Sequence, residues 1–306
     1  MRDAGLRYAV LDGHGLLHAK PRPRYGVYAP ISSRNGVAFF GRDSDATLPV
    51  WSARDGYPGD PAYREFHRDL GWDLPQEQIE AFGLPTQRPL GLKLHRVSDQ
   101  RAPLEAKQPY EPELAQARTK DHAKHYLEGR RLQLEALEER METAPLLVAP
   151  FDAELFGHWW YEGPSFLAEL FRQGPEQQVR FTTLRGVLNQ NPNLQICDPS
   201  PSSWGQGGFH DYWLNDSNAW IIPQWSRAGR AMKERCSRGV GSEQGLRMLH
   251  QAGRELLLAQ SSDWSFILRA GTTTGLAKER IERHLERFWT LMACIDGRDR
   301  MSAVSY

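Results

Sequence analysis

At 306 residues the chain is long enough to bury a full core, as one large domain or two modest ones. Lysine plus arginine equal aspartate plus glutamate at 38 each, so no global field favours nucleic acid or an anionic membrane, and a neutral polymer suits the balance better. Three widely spaced cysteines, Cys197, Cys236 and Cys294, form no C-x-x-C pair and read as reduced, buried thiols of a cytoplasmic protein. No apolar run is long enough to span a bilayer, and Met1-Arg-Asp-Ala-Gly5 has no signal-peptide character, so neither export nor membrane insertion is expected.

Leu6–Leu11 reads as a short strand, followed by the loop signal Asp12-Gly-His-Gly15. Pro21–Ser33 is an irregular loop, and Gly36–Gly41 and Thr47–Trp51 read as further strand pieces. Pro61–Arg68 carries a weak helix signal. Glu111–Glu142 is the clearest helix: Pro112 suits its first turn, and Leu127, Leu134, Leu137 and Met141 recur on one face. It feeds an apolar run, Pro145–Pro150, expected to be a buried strand. A helix over Ser165–Phe171, a strand over Val179–Thr183 and a helix over Leu184–Leu188 follow, an alternation that argues for part of a parallel β/α array.

After Asn191 the character changes, with a Pro/Ser/Asn-rich stretch to about Gly208 and then only helical patterns. Helices near 217–237, 243–260 and 275–294 show apolar stripes, including Leu246, Leu249, Leu256 and Leu257, then Ile281, Leu285, Phe288 and Met292. The boundary is placed in the 191–215 stretch, giving domains 1–191 and 192–306. The strands are too few to close a barrel, and an open parallel sheet leaves unpaired edges, so the chain reads as cut off at its start.

Phe151-Asp-Ala-Glu-Leu-Phe-Gly-His-Trp-Trp-Tyr-Glu-Gly163 is the most informative stretch. If Pro145–Pro150 is a strand, Asp152 emerges at its C-terminal end, where parallel α/β folds place chemistry. Asp152 is the candidate catalytic acid, and Trp159, Trp160 and Tyr161 offer flat faces suited to the apolar side of a sugar ring. A carboxylic acid beside an aromatic wall is the equipment of glycosidic bond chemistry. Asp152 could equally cap a helix, since Ala-Glu-Leu-Phe follows it. Glu154 and Glu162 are weaker candidates, readable as solvated or helix-pairing charges. Asp12 could stand as a nucleophile but is more often a turn former at such a position.

Several blocks together resemble the 1,4-α-glucan branching enzymes of glycoside hydrolase family 57: Ala4-Gly-Leu-Arg-Tyr8, Tyr25-Gly-Val-Tyr-Ala-Pro30, Val50-Trp-Ser-Ala53 with Gly56-Tyr-Pro-Gly59, Tyr63-Arg-Glu-Phe-His67, the Asp152 block, Ser203-Trp-Gly205 and Ser262-Asp-Trp264. The resemblance implies an α/β fold, an incomplete distorted (β/α)7 barrel followed by an all-α C-terminal domain that contributes to the glucan site. It implies a retaining transfer of an α-1,4-glucan segment to a 6-hydroxyl in glycogen biosynthesis, with Asp152 as proton donor. Substrate contacts fall at positions matched by Arg42, Gly59, Trp204 and Asp263, and Tyr25 matches a tyrosine on a mobile loop. The family's nucleophile is a glutamate in a Trp-x-Pro-Glu motif, which occurs nowhere in these 306 residues. The closing stretch from Arg298 to Tyr306 also departs from the family's usual continuation.

The resemblance therefore points to the C-terminal part of a branching enzyme whose α-glucan partner is amylose or glycogen, needing no metal or organic cofactor and inactive alone. A non-catalytic glucan-binding protein, a family 57 4-α-glucanotransferase or amylase, and a split enzyme completed by a separate N-terminal polypeptide remain open. Trp204 in its glycine-rich loop suits a sugar platform, whereas Trp51, Trp213, Trp220, Trp225 and Trp289 read as core. Asp263 suits either a helix cap or a glucose hydroxyl, and Gly59 offers a backbone that a ligand can approach closely. Gly239–Gly245 resembles a dinucleotide fingerprint with its third glycine misplaced, and His122 and His125 read as a solvated face of the long helix rather than metal ligands.

Overall fold

The computed structural model describes residues 1–297, so the stretch from Arg298 onward lies outside the described residues. The chain divides into two compact units at Pro201/Ser202. The first unit holds strands β1 (Tyr8–Leu11), β2 (Ile31–Ser32), β3 (Ala38–Gly41) and β4 (Gln195–Ile196). Its helices are α1 (Gly13–Leu17), α2 (Ser44–Trp51), α3 (Leu70–Asp73), α4 (Gln76–Ala81), α5 (Pro112–Glu138), α6 (Gly163–Gln173) and α7 (Leu184–Gln190). The second unit holds α8 (Ile221–Arg238), α9 (Glu243–Ala259), α10 (Ser262–Ala270) and α11 (Thr274–Ile295).

The small sheet has the order β1-β3-β2-β4. β1 pairs in parallel with β3, in the register Tyr8 opposite Ala38 to Leu11 opposite Gly41. β2 runs antiparallel to β3 and parallel to β4, so the sheet is mixed rather than the expected parallel array. Because successive strand residues face opposite ways, Phe39 packs with Leu16, Ile31 and Val37, while Phe40 packs with Val148 and Val187. That two-sided burial makes β3 the centre of the unit.

Four expected elements take another form. Thr47–Trp51 belongs to α2, because the buried Asp43 carboxylate accepts from the Asp45 N–H at 3.1 Å and starts a helix there. Pro61–Arg68 is extended rather than helical, with Val97 N–H donating to the Tyr63 carbonyl and Glu65 N–H to His95. Pro145–Pro150 runs extended without a ladder, bonded only through Leu146 N–H to Tyr28 and through the Val148 carbonyl, which accepts from Asp43 N–H at 2.8 Å. Prolines at both ends of that run remove ladder donors. Val179–Thr183 forms no strand either; its Phe181 ring lies 4.7 Å from Phe171.

The helix α5 follows its pattern, but its buried face is Ala115, Thr119, Ala123, Tyr126 and Leu127, packed against α6. In the second unit, Ile281, Leu285, Phe288 and Met292 of α11 meet Ala252, Leu256 and Ala259 of α9 in one core. Leu246 and Leu257, expected on that stripe, face solvent, the latter 72% exposed. The Ser242 hydroxyl caps α9 through the Gly245 N–H at 3.0 Å, which absorbs the dinucleotide-like glycines into a helix start. Gly271, at φ 75°, ends α10, which lies between the apolar stripes expected at 243–260 and 275–294.

Candidate active site

The carboxyl ends of the parallel pair β1 and β3 carry Asp12 and Arg42. Asp12 accepts from the Gly13 N–H at 2.7 Å as the cap of α1, and its other oxygen lies 4.0 Å from both Arg42 and His14. Its carboxylate is thus engaged in turn formation. Next along, Asp43 is buried, accepts from the Gln133 amide at 2.9 Å and is pushed up from the usual carboxylate range by that burial. Its N–H fixes Val148 beside the end of β3, and four residues later the chain reaches Asp152. Arg42 and Asp152 are therefore carried by adjoining segments.

Asp152 is exposed and extended at φ −67°, ψ 132°, ahead of a short 3-10 turn over Ala153–Leu155. Its side chain caps no N–H of that turn. The loop around it is pinned instead by apolar anchors: Leu155 and Trp160 are buried, with Phe151 and Phe156 packed on the same cluster as Phe166 and Tyr63. Backbone bonds from Trp160 N–H to Leu155 and from Gly157 N–H to Trp160, both 2.8 Å, close the turn. A carboxylate presented outward from a rigidly seated turn can meet a substrate without reorganisation.

Trp160 is 2% exposed and belongs to the core, not to a sugar platform, while Trp159 and Tyr161 are 50% and 48% exposed. Glu162, read above as a solvated charge, is buried: its Oε1 accepts from Arg64 N–H at 3.0 Å and from the Tyr110 hydroxyl at 2.7 Å, and its Oε2 has no hydrogen-bond partner. Burial pushes its carboxyl up, against the hydrogen bonds of Tyr110 and Arg64. Glu154 is exposed.

The Gly56-Tyr-Pro-Gly59 block shares the aromatic core with the Asp152 block, since Tyr57 lies 5.6 Å from Phe166 and Phe166 lies 4.9 Å from Trp160. Gly59 is buried, and a Cβ there would collide with the Ala53 carbonyl oxygen and the Gln100 amide. Close approach by the chain's own backbone already requires glycine there. Of the α5 histidines His125 is exposed and His122 half-buried, and each lies within hydrogen-bond distance of a tyrosine hydroxyl. His122 Nδ1 lies 2.8 Å from the Tyr63 hydroxyl and its Nε2 3.5 Å from Asp60, and His125 Nδ1 lies 2.8 Å from the Tyr57 hydroxyl. Burial lowers the His122 pKa and raises that of Tyr57 to about 12. No group of three metal-ligating side chains exists among the described residues, and no described helix is long and apolar enough to cross a membrane.

Tyr25 sits in the Pro21–Pro30 loop, where its hydroxyl accepts from the Glu142 N–H at 3.2 Å and Arg24 pairs with the Glu142 carboxylate at 2.7 Å. In the second unit, the Trp204 carbonyl accepts from the Trp213 indole at 2.7 Å and Ser203 Oγ from His210 N–H, closing a loop in which Trp204 is exposed. Asp263 lies exposed in the first turn of α10 and accepts from the Ser261 hydroxyl at 2.5 Å. The Trp204 loop and α10 are joined through the Tyr212 and Phe266 rings, 4.9 Å apart, and through the buried Asn218, which donates to the Ser265 carbonyl. Trp51, expected in the core, is 43% exposed, and Cys236 is exposed whereas Cys197 is buried.

The family model described as "1,4-alpha-glucan branching enzyme, C-terminal" matches residues 224–304. A 1,4-alpha-glucan branching enzyme of Thermococcus kodakarensis is 31% identical over 262 residues, covering 84% of this chain and 36% of that protein. A probable 1,4-alpha-glucan branching enzyme of Mycobacterium tuberculosis is 30% identical over 288 residues, covering 92% of this chain and 50% of that protein. Among solved structures, a family 57 branching enzyme from Pyrococcus horikoshii superposes with a TM-score of 0.77 at 30% identity, over 97% of this chain and 55% of that one. The chain is a member of glycoside hydrolase family 57, matching the C-terminal part of its branching enzymes. An alpha-amylase from Thermotoga maritima superposes on this family 57 chain with a TM-score of 0.81 at 36% identity, over 98% of the chain and 57% of the amylase. The family 57 chain thus spans about a third to a half of the curated relatives it matches.

Among the residues of this family 57 chain, sequence reasoning undervalued Glu162 and the alternation around Trp160. The signal that could have found them is the buried glycine Gly163 directly behind, whose Cα lies so close to Phe156 that a side chain would meet that ring at 2.9 Å, marking a tightly packed turn.

Proposed function

We propose that this span supplies the proton-donating half of a retaining α-1,4-glucan transfer, the activity of a 1,4-α-glucan branching enzyme in glycogen synthesis. The observation that carries the reading is the Asp152 carboxylate, exposed on a turn locked by buried aromatics and committed to no helix cap. Asp152 protonates the departing glycosidic oxygen, then as carboxylate takes the proton from the acceptor's 6-hydroxyl. The attacking carboxylate of such a pair must stand about 5–5.5 Å away. It is a glutamate outside this span, on the rest of the protein or on a separate N-terminal polypeptide that completes the barrel. Arg42, Gly59 and Tyr25 are the glucose contacts of the first unit, and Trp204 and Asp263 those of the second. With Tyr25 over the bound glucan, a sugar hydroxyl rather than water resolves the intermediate. The reaction needs no metal or organic cofactor, and the free thiols suit a cytoplasmic location.

A second reading, hydrolysis or transfer to a 4-hydroxyl, is favoured by the alpha-amylase superposition. Proton NMR of amylose after incubation with the chain separates these. Alone, the chain should bind amylose and generate no α-1,6 anomeric signal; with an N-terminal family 57 segment bearing Trp-x-Pro-Glu supplied in trans, α-1,6 signals should appear and vanish with Asp152→Asn. New reducing ends, or a redistribution of chain lengths, without α-1,6 signals favour the second reading. Signals from the chain alone, or signals that survive Asp152→Asn, overturn the first.

A further inference from the structure

Two non-helical segments lie side by side on the surface of the first unit. Along 63–66, Tyr63 and Glu65 are buried while Arg64 and Phe66 are partly exposed, and in the turn over 159–161, Trp160 is buried while Trp159 and Tyr161 are exposed. The exposed and partly exposed residues pair: the Phe66 and Trp159 rings stack at 4.3 Å and 30°, and the Arg64 guanidinium lies 3.7 Å over the Tyr161 ring. Glu162 binds the two segments together, accepting from the Arg64 N–H on one side and sitting directly behind Tyr161 on the other. Trp159 is held by Phe66 and by His158 at 5.3 Å, and Tyr161 by Arg64 and by Tyr110 at 6.1 Å, while both stay exposed, so little side-chain freedom remains to be lost on binding.

The geometry points to a glucan-holding strip made of Trp159 and Tyr161, backed by Phe66 and Arg64, that grips α-1,4-linked glucose units of the polymer without acting on the bond cut at Asp152. The strip offers two amphipathic ring faces from residues two apart, whose Cα atoms are separated by at most about 7 Å, within reach of neighbouring rings of one oligosaccharide. Sugar rings stack by their apolar C–H face on such rings, and the Arg64 guanidinium adds donors for sugar hydroxyls at the rim. The strip's one carboxylate, Glu162, is buried and already bonded, so the strip binds and does no chemistry. Stacked bases would also fit flat rings, but the chain's balanced charge gives a polyanion no attraction. The proposal rests on the glucan reading above.

The test is affinity electrophoresis of the full chain through gels containing glycogen, with maltoheptaose binding measured by calorimetry. Trp159→Ala and Tyr161→Ala should each weaken glycogen retardation at least fivefold and lower maltoheptaose affinity in the same direction, and Trp159→Phe should stay within twofold of the native chain in both. Phe66→Ala should act in the same direction as Trp159→Ala, with near-ultraviolet circular dichroism showing that the fold persists. Glycogen binding unchanged in folded Trp159→Ala and Tyr161→Ala overturns the strip while leaving the glucan reading standing. A native chain that binds neither glycogen nor maltoheptaose overturns both. Tighter binding to a single-stranded oligonucleotide than to glycogen, lost in Trp159→Ala, overturns the strip as a sugar site.

Discussion

The α9–α11 pair of the second unit and the loops around Asp69 and Glu162 in the first are held by opposite means. In the helical pair, Leu256, Ala259, Ile281, Leu285 and Phe288 exclude water across long regular faces, and a single buried ion pair, His284 with Glu255 at 2.7 Å, interrupts them. In the first unit, strands of two to four residues leave many backbone groups outside any ladder, and buried carboxylates take their place. Asp69, 1% exposed, accepts from Gly71, Leu90 and Gly91 N–H groups at 2.8–2.9 Å and pairs with Lys93 at 3.1 Å. Where periodic structure is short, one side chain can satisfy several donors that a ladder would otherwise satisfy. Apolar packing tolerates any pH; carboxylate staples do not.

The largest effect should come from the helical pair. Phe288→Ala removes a fully buried ring at the centre of the second unit's core and should cost about 3–5 kcal/mol in urea denaturation, independent of pH between 5 and 8 as far as that side chain is concerned. A loss under about 1 kcal/mol would show that α9 and α11 are not held by that core.

Asp69→Asn should cost on the order of 3 kcal/mol, because the amide oxygen can still accept from Gly71 and Leu90 N–H while the Gly91 N–H and the Lys93 ammonium meet an NH2 group in place of Oδ2. Burial pushes the Asp69 carboxyl up, but the N–H groups of Leu90 and Gly71 and the Lys93 ammonium outweigh it and leave it below its ordinary value. A depressed folded value means that the stabilisation is present above the unfolded pKa of about 3.9 and lost as pH falls through the folded one. The native chain should therefore lose stability on acidification below pH ~4 more steeply than Asp69→Asn; parallel curves would contradict the assignment.

Gly59→Ala should follow, at about 2 kcal/mol, since its methyl would displace the Ala53 carbonyl, a backbone atom unable to rotate aside. Thermal unfolding within a degree of the native chain would mean that this turn relaxes freely.

The smallest effect should be Glu162→Gln. Burial raises the Glu162 carboxyl, so its favourable contribution is complete below the unfolded value of about 4.3 and fades as pH rises through the folded one. An amide oxygen can still accept from Arg64 and Tyr110, so the variant should be unchanged or up to about 1 kcal/mol more stable at pH 7, with a flatter pH profile above pH ~4.3. A marked destabilisation would show that the charge itself holds the turn.

These contrasts explain what was legible. The helices α5, α9 and α11 carry their burial as a 3.6-residue period, which is local information. The strand β3 was legible through its run of apolar residues. The two-residue strands β2 and β4 were not, because their existence depends on partners: Ile31 pairs with Gln195, far along the chain. Thr47–Trp51 misled because β-branched composition says strand while the Asp43 cap, a single preceding carboxylate, starts a helix. The same limit applied to the site. Asp152 was visible from its motif, but that its carboxylate caps nothing is a statement about backbone direction.

The sequence by itself determined the family, the helical character after Gly208, and the choice of Asp152 as candidate donor, because each rests on residue identity and local spacing. Only the tertiary structure decided that Trp160 is core while Trp159 and Tyr161 face solvent, and that Glu162 is buried under Tyr110 and Arg64, residues 52 and 98 positions away. Which of three adjacent aromatics turns inward depends on what the chain elsewhere brings to meet it, and no local pattern encodes a contact across that distance.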